Sequence, residues 1–117
     1  MKRFLLLSCL SLAALTGAAQ AQVIGSFNVE GQNPDGSGYR GTASVEKTGM
    51  ETFRVTWVVD GARFIGTGIG NEDVIAVTYR SGNQTGVALM AADKAEVGVV
   101  WTYAGGTSVG KERWRRR

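Results

Sequence analysis

The chain predicts an all-β domain: an antiparallel meander of about eight strands that either closes into a small up-and-down barrel or coils strongly as an open sheet. Three observations carry this expectation. Glycine is abundant and proline almost absent, 17 residues against 1, and the glycines fall between short runs rich in Val, Thr, Ile, Tyr, Phe and Trp, the pattern of strands joined by tight turns. Beyond residue 21 no window sustains a 3.6-residue apolar period, which excludes a long helix. One stretch, Thr52 to Val59, alternates cleanly, with Phe53, Val55, Trp57 and Val59 on one face and Thr52, Arg54, Thr56 and Val58 on the other.

The first element is not a strand. Met1-Lys2-Arg3, an apolar stretch from Phe4 to Leu15 and the ending Ala19-Gln20-Ala21 make the basic start, short apolar core and small-x-small close of a signal peptide, with cleavage expected after Ala21. The apolar part is too short for a permanent membrane-spanning helix, which takes roughly 20 residues. Leu6-Leu7-Ser8-Cys9 superficially matches a lipoprotein signal, but too few apolar residues precede it, and lipidation at Cys9 is the minor alternative. On this reading residues 22–117 form one small domain without cysteine, stabilised by its sheet and core instead of disulfides.

Within that domain a first strand is expected at Val23 to Val29 and a second at Tyr39 to Lys47, with Thr48 to Glu51 turning into the strand at Thr52 to Val59. Asp60-Gly61 follows at once, and Asp-Gly between β-prone runs marks a type I′ hairpin, so a partner strand should run from Ala62 to about Ile69. Further strands are expected at Val74 to Tyr79, Thr85 to Met90, Glu96 to Tyr103 and Thr107 to Trp114, with turns at Arg80 to Asn83, Ala92 to Lys94 and Ala104 to Gly106. Short connections favour pairing of neighbours in sequence, and eight strands is about the number at which a sheet closes on its own side chains.

Asn33-Pro34-Asp35-Gly36-Ser37, Tyr39-Arg40-Gly41-Thr42, Phe53-Arg54-Val55-Thr56-Trp57 and Phe64-Ile65-Gly66-Thr67-Gly68-Ile69, followed by Gly86-Val87, Gly98 to Trp101 and Gly105 to Glu112, resemble a family of small exported alphaproteobacterial all-β proteins. Some of its members carry a fibronectin-binding label. The resemblance spans Gly31 to about Arg113; Met90 to Val97 and the Arg-rich end depart from it. It implies the fold more than any activity, and through the label a host or matrix protein as partner.

Charge and composition exclude several functions. The whole chain carries +3; without residues 1–21 the balance is +1, made of a mildly acidic body and the basic end Lys111 to Arg117. Nothing in the body suggests a nucleic-acid surface. Without His or Cys beyond residue 21, triad chemistry, thiol chemistry and zinc ligation are not expected, and neither an enzyme, a cofactor nor a metal site is predicted. Gly66-Thr67-Gly68-Ile69-Gly70 lacks the following helix that a dinucleotide loop needs, so it reads as a strand that lets neighbours such as Trp57 or Phe64 pack across it. Asn33 to Ser37 lacks a calcium-loop pattern and reads as a turn. Asn83-Gln84-Thr85 matches a glycosylation acceptor, a pattern common by chance.

The aromatic residues are the best binding candidates. Trp57 is expected in the core; if the barrel keeps a cavity, Tyr39, Trp57, Trp101 and Tyr103 would line it. Surface contacts are expected at the loop tips carrying Asp35 and Asn83 and along Arg113, Trp114, Arg115, Arg116 and Arg117, a tail suited to an anionic envelope surface or read as a frayed, solvated end. The leading functional expectation is a non-catalytic secreted or periplasmic binding protein acting on a protein partner or envelope surface. The alternatives are a small-molecule or lipid binder with an apolar barrel cavity, favoured by a pocket of several hundred Å³, and a structural envelope protein without a specific ligand.

Overall fold

The computed structural model describes residues 22–117; the signal-peptide and Cys9 expectations concern residues outside that range. The described chain is all strand and turn: β1 (Gly25–Gln32), β2 (Gly38–Lys47), β3 (Thr52–Val59), β4 (Ala62–Gly70), β5 (Val74–Ser81), β6 (Gln84–Asp93), β7 (Glu96–Tyr103) and β8 (Gly110–Arg116). Each strand pairs antiparallel with the next, and β1 pairs with β8 from Phe27↔Arg116 to Gln32↔Lys111, which closes the sheet into an eight-stranded meander barrel. Closure removes both sheet edges.

The hairpin turns follow local chemistry. Asp60 and Gly61 sit at φ 51° and 79°, the two positive angles a type I′ turn requires. Gly82-Asn83 connects β5 to β6 with Gly82 at φ 59°. Between β6 and β7 the turn is Lys94-Ala95, and Lys94 takes φ 54° without being glycine.

The strands differ most from the sequence expectations in β1, β6 and β8. β1 starts at Gly25 because Val23 leaves the wall: it is fully buried and donates its amide to Glu72 O (2.8 Å). β6 runs on through the weakly β-prone Ala91 and Ala92, since both pair with β7, opposite Gly98 and Val97. β8 starts at Gly110 instead of Thr107 and continues to Arg116, because its last residues pair with β1; the basic end is therefore wall, not a frayed tail.

Inward positions divide the barrel in two. At the end shared by the chain termini the interior is filled by Val23, Phe27, Phe53, Ile75, Met90, Val97 and Trp114, each at most 1% exposed. At the other end, where β1–β2, β3–β4, β5–β6 and β7–β8 turn, large rings stand opposite glycines. The register pairs Tyr39 with Gly31, Tyr79 with Gly86 and Trp101 with Gly110. A Cβ at any of these three glycines would lie closer than 3.0 Å to the facing ring, so each ring lies across its glycine. The glycines of β4 act likewise: Gly66 leaves room for Val77 and Trp57, and Gly68 for Ile75.

The outer wall is divided as well. β8 and β1 to β3 carry cross-strand ion pairs, among them Arg40–Glu30 (3.3 Å) and Arg54–Glu46 (3.4 Å). β4 to β7 expose Ile65, Ile69, Val74, Val87, Leu89 and Val100.

Candidate functional site

The end with the glycine-facing rings is an open cup of about 150 Å³. Its wall is aromatic: Tyr39, Trp57, Phe64, Tyr79 and Trp101, with Val59 beside them. The rings meet edge-to-face, Tyr39–Trp101 at 6.4 Å, Trp57–Tyr79 at 5.7 Å and Phe64–Tyr79 at 6.0 Å between centroids, with interplanar angles of 62–72°. Such pairs curve around a hollow instead of stacking into it. Asn33 and Asp60, from the β1–β2 and β3–β4 turns, complete the lining together with Glu112.

Glu112 is the chemical centre. β8 alternates, so Gly110, Glu112 and Trp114 face inward while Lys111, Arg113 and Arg115 face out. Glu112 Oε1 accepts hydrogen bonds from the Trp57 Nε1–H (3.1 Å) and the Trp114 Nε1–H (2.7 Å), and Oε2 accepts one from the Tyr39 hydroxyl. Three donors from three strands thus fix one carboxylate between the filled half of the barrel and the cup. Burial, then the Glu112 charge, pushes the Tyr79 hydroxyl up to about 12. The same two causes and the hydrogen bond to Glu112 push Tyr39 further up, with a small opposing contribution from Trp101. Both phenols therefore remain donors over the neutral range; Tyr79 spends its proton on Thr102 O (3.2 Å). The Trp101 Nε1–H is shielded from solvent and has no partner in hydrogen-bonding geometry.

Of the residues that the sequence singled out for a pocket, the structure brings Tyr39, Trp57 and Trp101 together in the cup. Tyr103 is not among its lining: it stands at the rim, 51% exposed, with its ring 6.3 Å from that of Trp101. Glu112, Tyr79, Phe64 and Asp60 were not selected by sequence reasoning. Strand parity held the signal for two of them, since Glu112 shares a face with Trp114 and Tyr79 shares one with Ile75 and Val77.

The surface candidates separate. Asp35 is occupied in its own turn: Oδ1 accepts from the Ser37 amide (2.9 Å) and hydroxyl (2.7 Å), and these bonds hold its carboxyl below the usual range. Asn83 is exposed at the β5–β6 turn. Trp114 corrects the expectation of a surface contact: it is fully buried, with its ring 5.1 Å from Phe27 and 6.1 Å from Trp57. Arg113 and Arg115 lie outside and share Glu96 at 3.5 and 3.0 Å. Arg116 donates to Ile24 O (2.7 Å) and to Gln22 O, with its guanidinium 4.7 Å over the Phe27 ring; it clamps the segment that carries Val23. The Arg117 amide donates to Ser26 O (3.0 Å). Among the described residues no group of His, Cys, Asp and Glu is placed to hold a metal, and no helix is long and apolar enough to cross a membrane.

No protein-family model matches the chain, and no curated protein matches it. Solved structures do. A redesigned β-barrel, b11L5F_LGL, superposes with a TM-score of 0.70 at 19% identity over 81% of this chain and 91% of that one. A second redesigned barrel, mFAP1 bound to DFHBI, gives 0.66 at 14% identity over 80% and 94%. A fluorescence-activating β-barrel designed de novo gives 0.60 at 17% identity over 80% and 93%. At these identities the likeness shows the fold: the chain is a β-barrel of the same architecture.

Proposed function

We propose that this chain is a non-catalytic binding protein, exported as residues 1–21 suggest, that holds a small, largely apolar molecule in the aromatic cup. The observation that supports this most is the contrast between the two ends of one barrel. One end is filled with side chains to the point of full burial, whereas the other keeps five rings standing around a hollow and a carboxylate fixed at its base. A few placed polar groups in an apolar, aromatic recess are the usual makeup of a ligand site. A core built only for stability would gain as much from aliphatic packing, because even a half-buried carboxylate gives up part of its water. Both Glu112 oxygens already accept hydrogen bonds, which suits an orienting group better than a proton shuttle.

Size narrows the occupant. About 150 Å³ is less than the several hundred Å³ of typical drug-sized pockets and matches cavities that take a single benzene-sized molecule. This favours a compact molecule over a lipid chain. Titrating tryptophan fluorescence with small ring compounds tests the reading. Saturable changes at micromolar to millimolar ligand, abolished by Val59→Phe, which fills the cup, are expected; a flat response to the whole panel refutes it.

A second reading, binding of a protein partner, has the apolar outer face of β4 to β7 in its favour, since contiguous exposed apolar surface marks interaction sites. Placing a charge in its middle with Leu89→Lys should abolish any association seen by sedimentation; association unaffected by that change removes this face from consideration.

A further inference from the structure

The geometry points to a small organic cation, an ammonium group with compact alkyl or aryl substituents, as the occupant of the cup. This rests on the pocket reading above and adds the sign of the ligand's charge.

Two independent features converge on it. The first is electrostatic: among the described residues the charged side chains that line the cup are Asp60 and Glu112, both acidic, and no Lys or Arg lines it. The nearest basic residues in sequence are turned away by strand alternation. Lys111 and Arg113 flank Glu112 on the outer face of β8, and Arg113 is engaged with Glu96 there. Arg63, two residues beyond Gly61, is exposed on β4. An anion entering this recess would meet carboxylates without a compensating cation, whereas a cation would meet the half-buried Glu112, where the interaction is stronger than in bulk, and the exposed Asp60 of the β3–β4 turn.

The second feature is the wall. Tyr39, Trp57, Phe64, Tyr79 and Trp101 surround the hollow, and neighbouring rings are turned by 62–72° to each other. Ring faces carry negative potential, and several of them around one point attract a cation whose own hydration is weak, as in the aromatic cages that hold quaternary ammonium groups. Ordinary apolar binding does not need this many rings; a neutral ligand of this size would be served as well by aliphatic side chains. Glu112 then acts as a fixed counter-charge. Its three donors hold it in place when the cup is empty, so binding requires little rearrangement.

Three isosteric probes separate charge from shape: choline, its uncharged carbon analogue neohexanol, and the tert-butylacetate anion. Each is titrated against the whole chain, purified without refolding, by calorimetry and tryptophan fluorescence. Choline is expected to bind at least about tenfold more tightly than neohexanol, the scale of one partly desolvated cation–π contact with a nearby carboxylate, and the anion not measurably. Asp60→Asn preserves the turn, because Asn accepts positive φ as Asp does, and should weaken choline severalfold while leaving neohexanol unchanged. Equal or tighter binding of neohexanol or of the anion overturns the cation assignment and leaves the pocket reading standing. Absence of binding by all three overturns the cation assignment, and if the ring-compound panel is silent too, the pocket reading falls with it.

Discussion

Replacing Glu112 separates a carboxylate that holds the cup together from one that merely occupies space. In Glu112→Leu the Trp57 and Trp114 indoles and the Tyr39 hydroxyl all lose their acceptor. Trp114 is fully buried, so its N–H has no water to turn to and costs about 1–3 kcal/mol as an unsatisfied donor. Trp57 and Tyr39 border the cup and can recover part of their loss from solvent, leaving roughly 0.5–1 kcal/mol each. The expected total is about 2–5 kcal/mol. Glu112→Gln keeps the shape, presents an oxygen to the two indoles and lets the amide donate to the Tyr39 oxygen, so it should cost under about 1.5 kcal/mol. Urea unfolding followed by tryptophan fluorescence measures both. A leucine variant as stable as the parent, or a glutamine variant as damaged as the leucine one, would refute the assignment of Glu112 as the common acceptor.

Other consequences are equally direct. Gly110→Ala places a Cβ closer than 3.0 Å to the Trp101 indole, whereas Gly98→Ala meets nothing within 4 Å; the first should destabilise by about 1–3 kcal/mol and the second stabilise by about 0.5–1 kcal/mol, and equal values in urea melts would contradict the ring-over-glycine packing. Burial raises the Tyr39 and Tyr79 pKa values, so the stability that their neutral forms provide is complete below pH about 10 and is lost as pH climbs above it, through about 12 for Tyr79 and higher still for Tyr39. In Tyr103→Phe, phenolate absorbance should therefore appear only together with unfolding; a rise centred near pH 10 in the folded barrel would show both phenols to be solvated. Arg116→Ala removes two donors to the N-terminal segment and should cost about 1–2 kcal/mol and speed hydrogen exchange at the Val23 amide; unchanged exchange there would mean that Arg116 does not hold the segment.

How much of this is legible in sequence depends on whether charge and face agree. β3 can be read to its observed bounds because its apolar residues alternate without a break and Asp60-Gly61 ends it; the next strand follows from that turn. β8 misleads because Lys111, Arg113 and Arg115 dominate its composition, and the inward series of Gly110, Glu112 and Trp114 is visible only once parity is set by pairing with β1. The same masking makes Trp114 look like a surface anchor. Glu112 carries the further disadvantage that carboxylates are rarely turned inward, so its role depends on three donors from β2, β3 and β8 that only closure brings together. Tyr39, Trp57 and Trp101 are legible as pocket residues because large rings on inward faces have few other places to go. Tyr103 shares their parity but lies one step too near the rim. The β6–β7 turn is expected slightly early in the chain because Lys94 takes positive φ where glycine or asparagine would have announced the position.

The proposed role requires the cup to be a built ligand site and not a packing defect. A crystal structure of residues 22–117, purified without refolding and soaked with a ring compound that shifts its fluorescence, tests this most directly. One ordered molecule is expected among Tyr39, Trp57 and Trp101 with Glu112 at its base, with those side chains little moved from their places without it. Rings collapsed into the hollow, with the compound bound elsewhere or not at all, would contradict it.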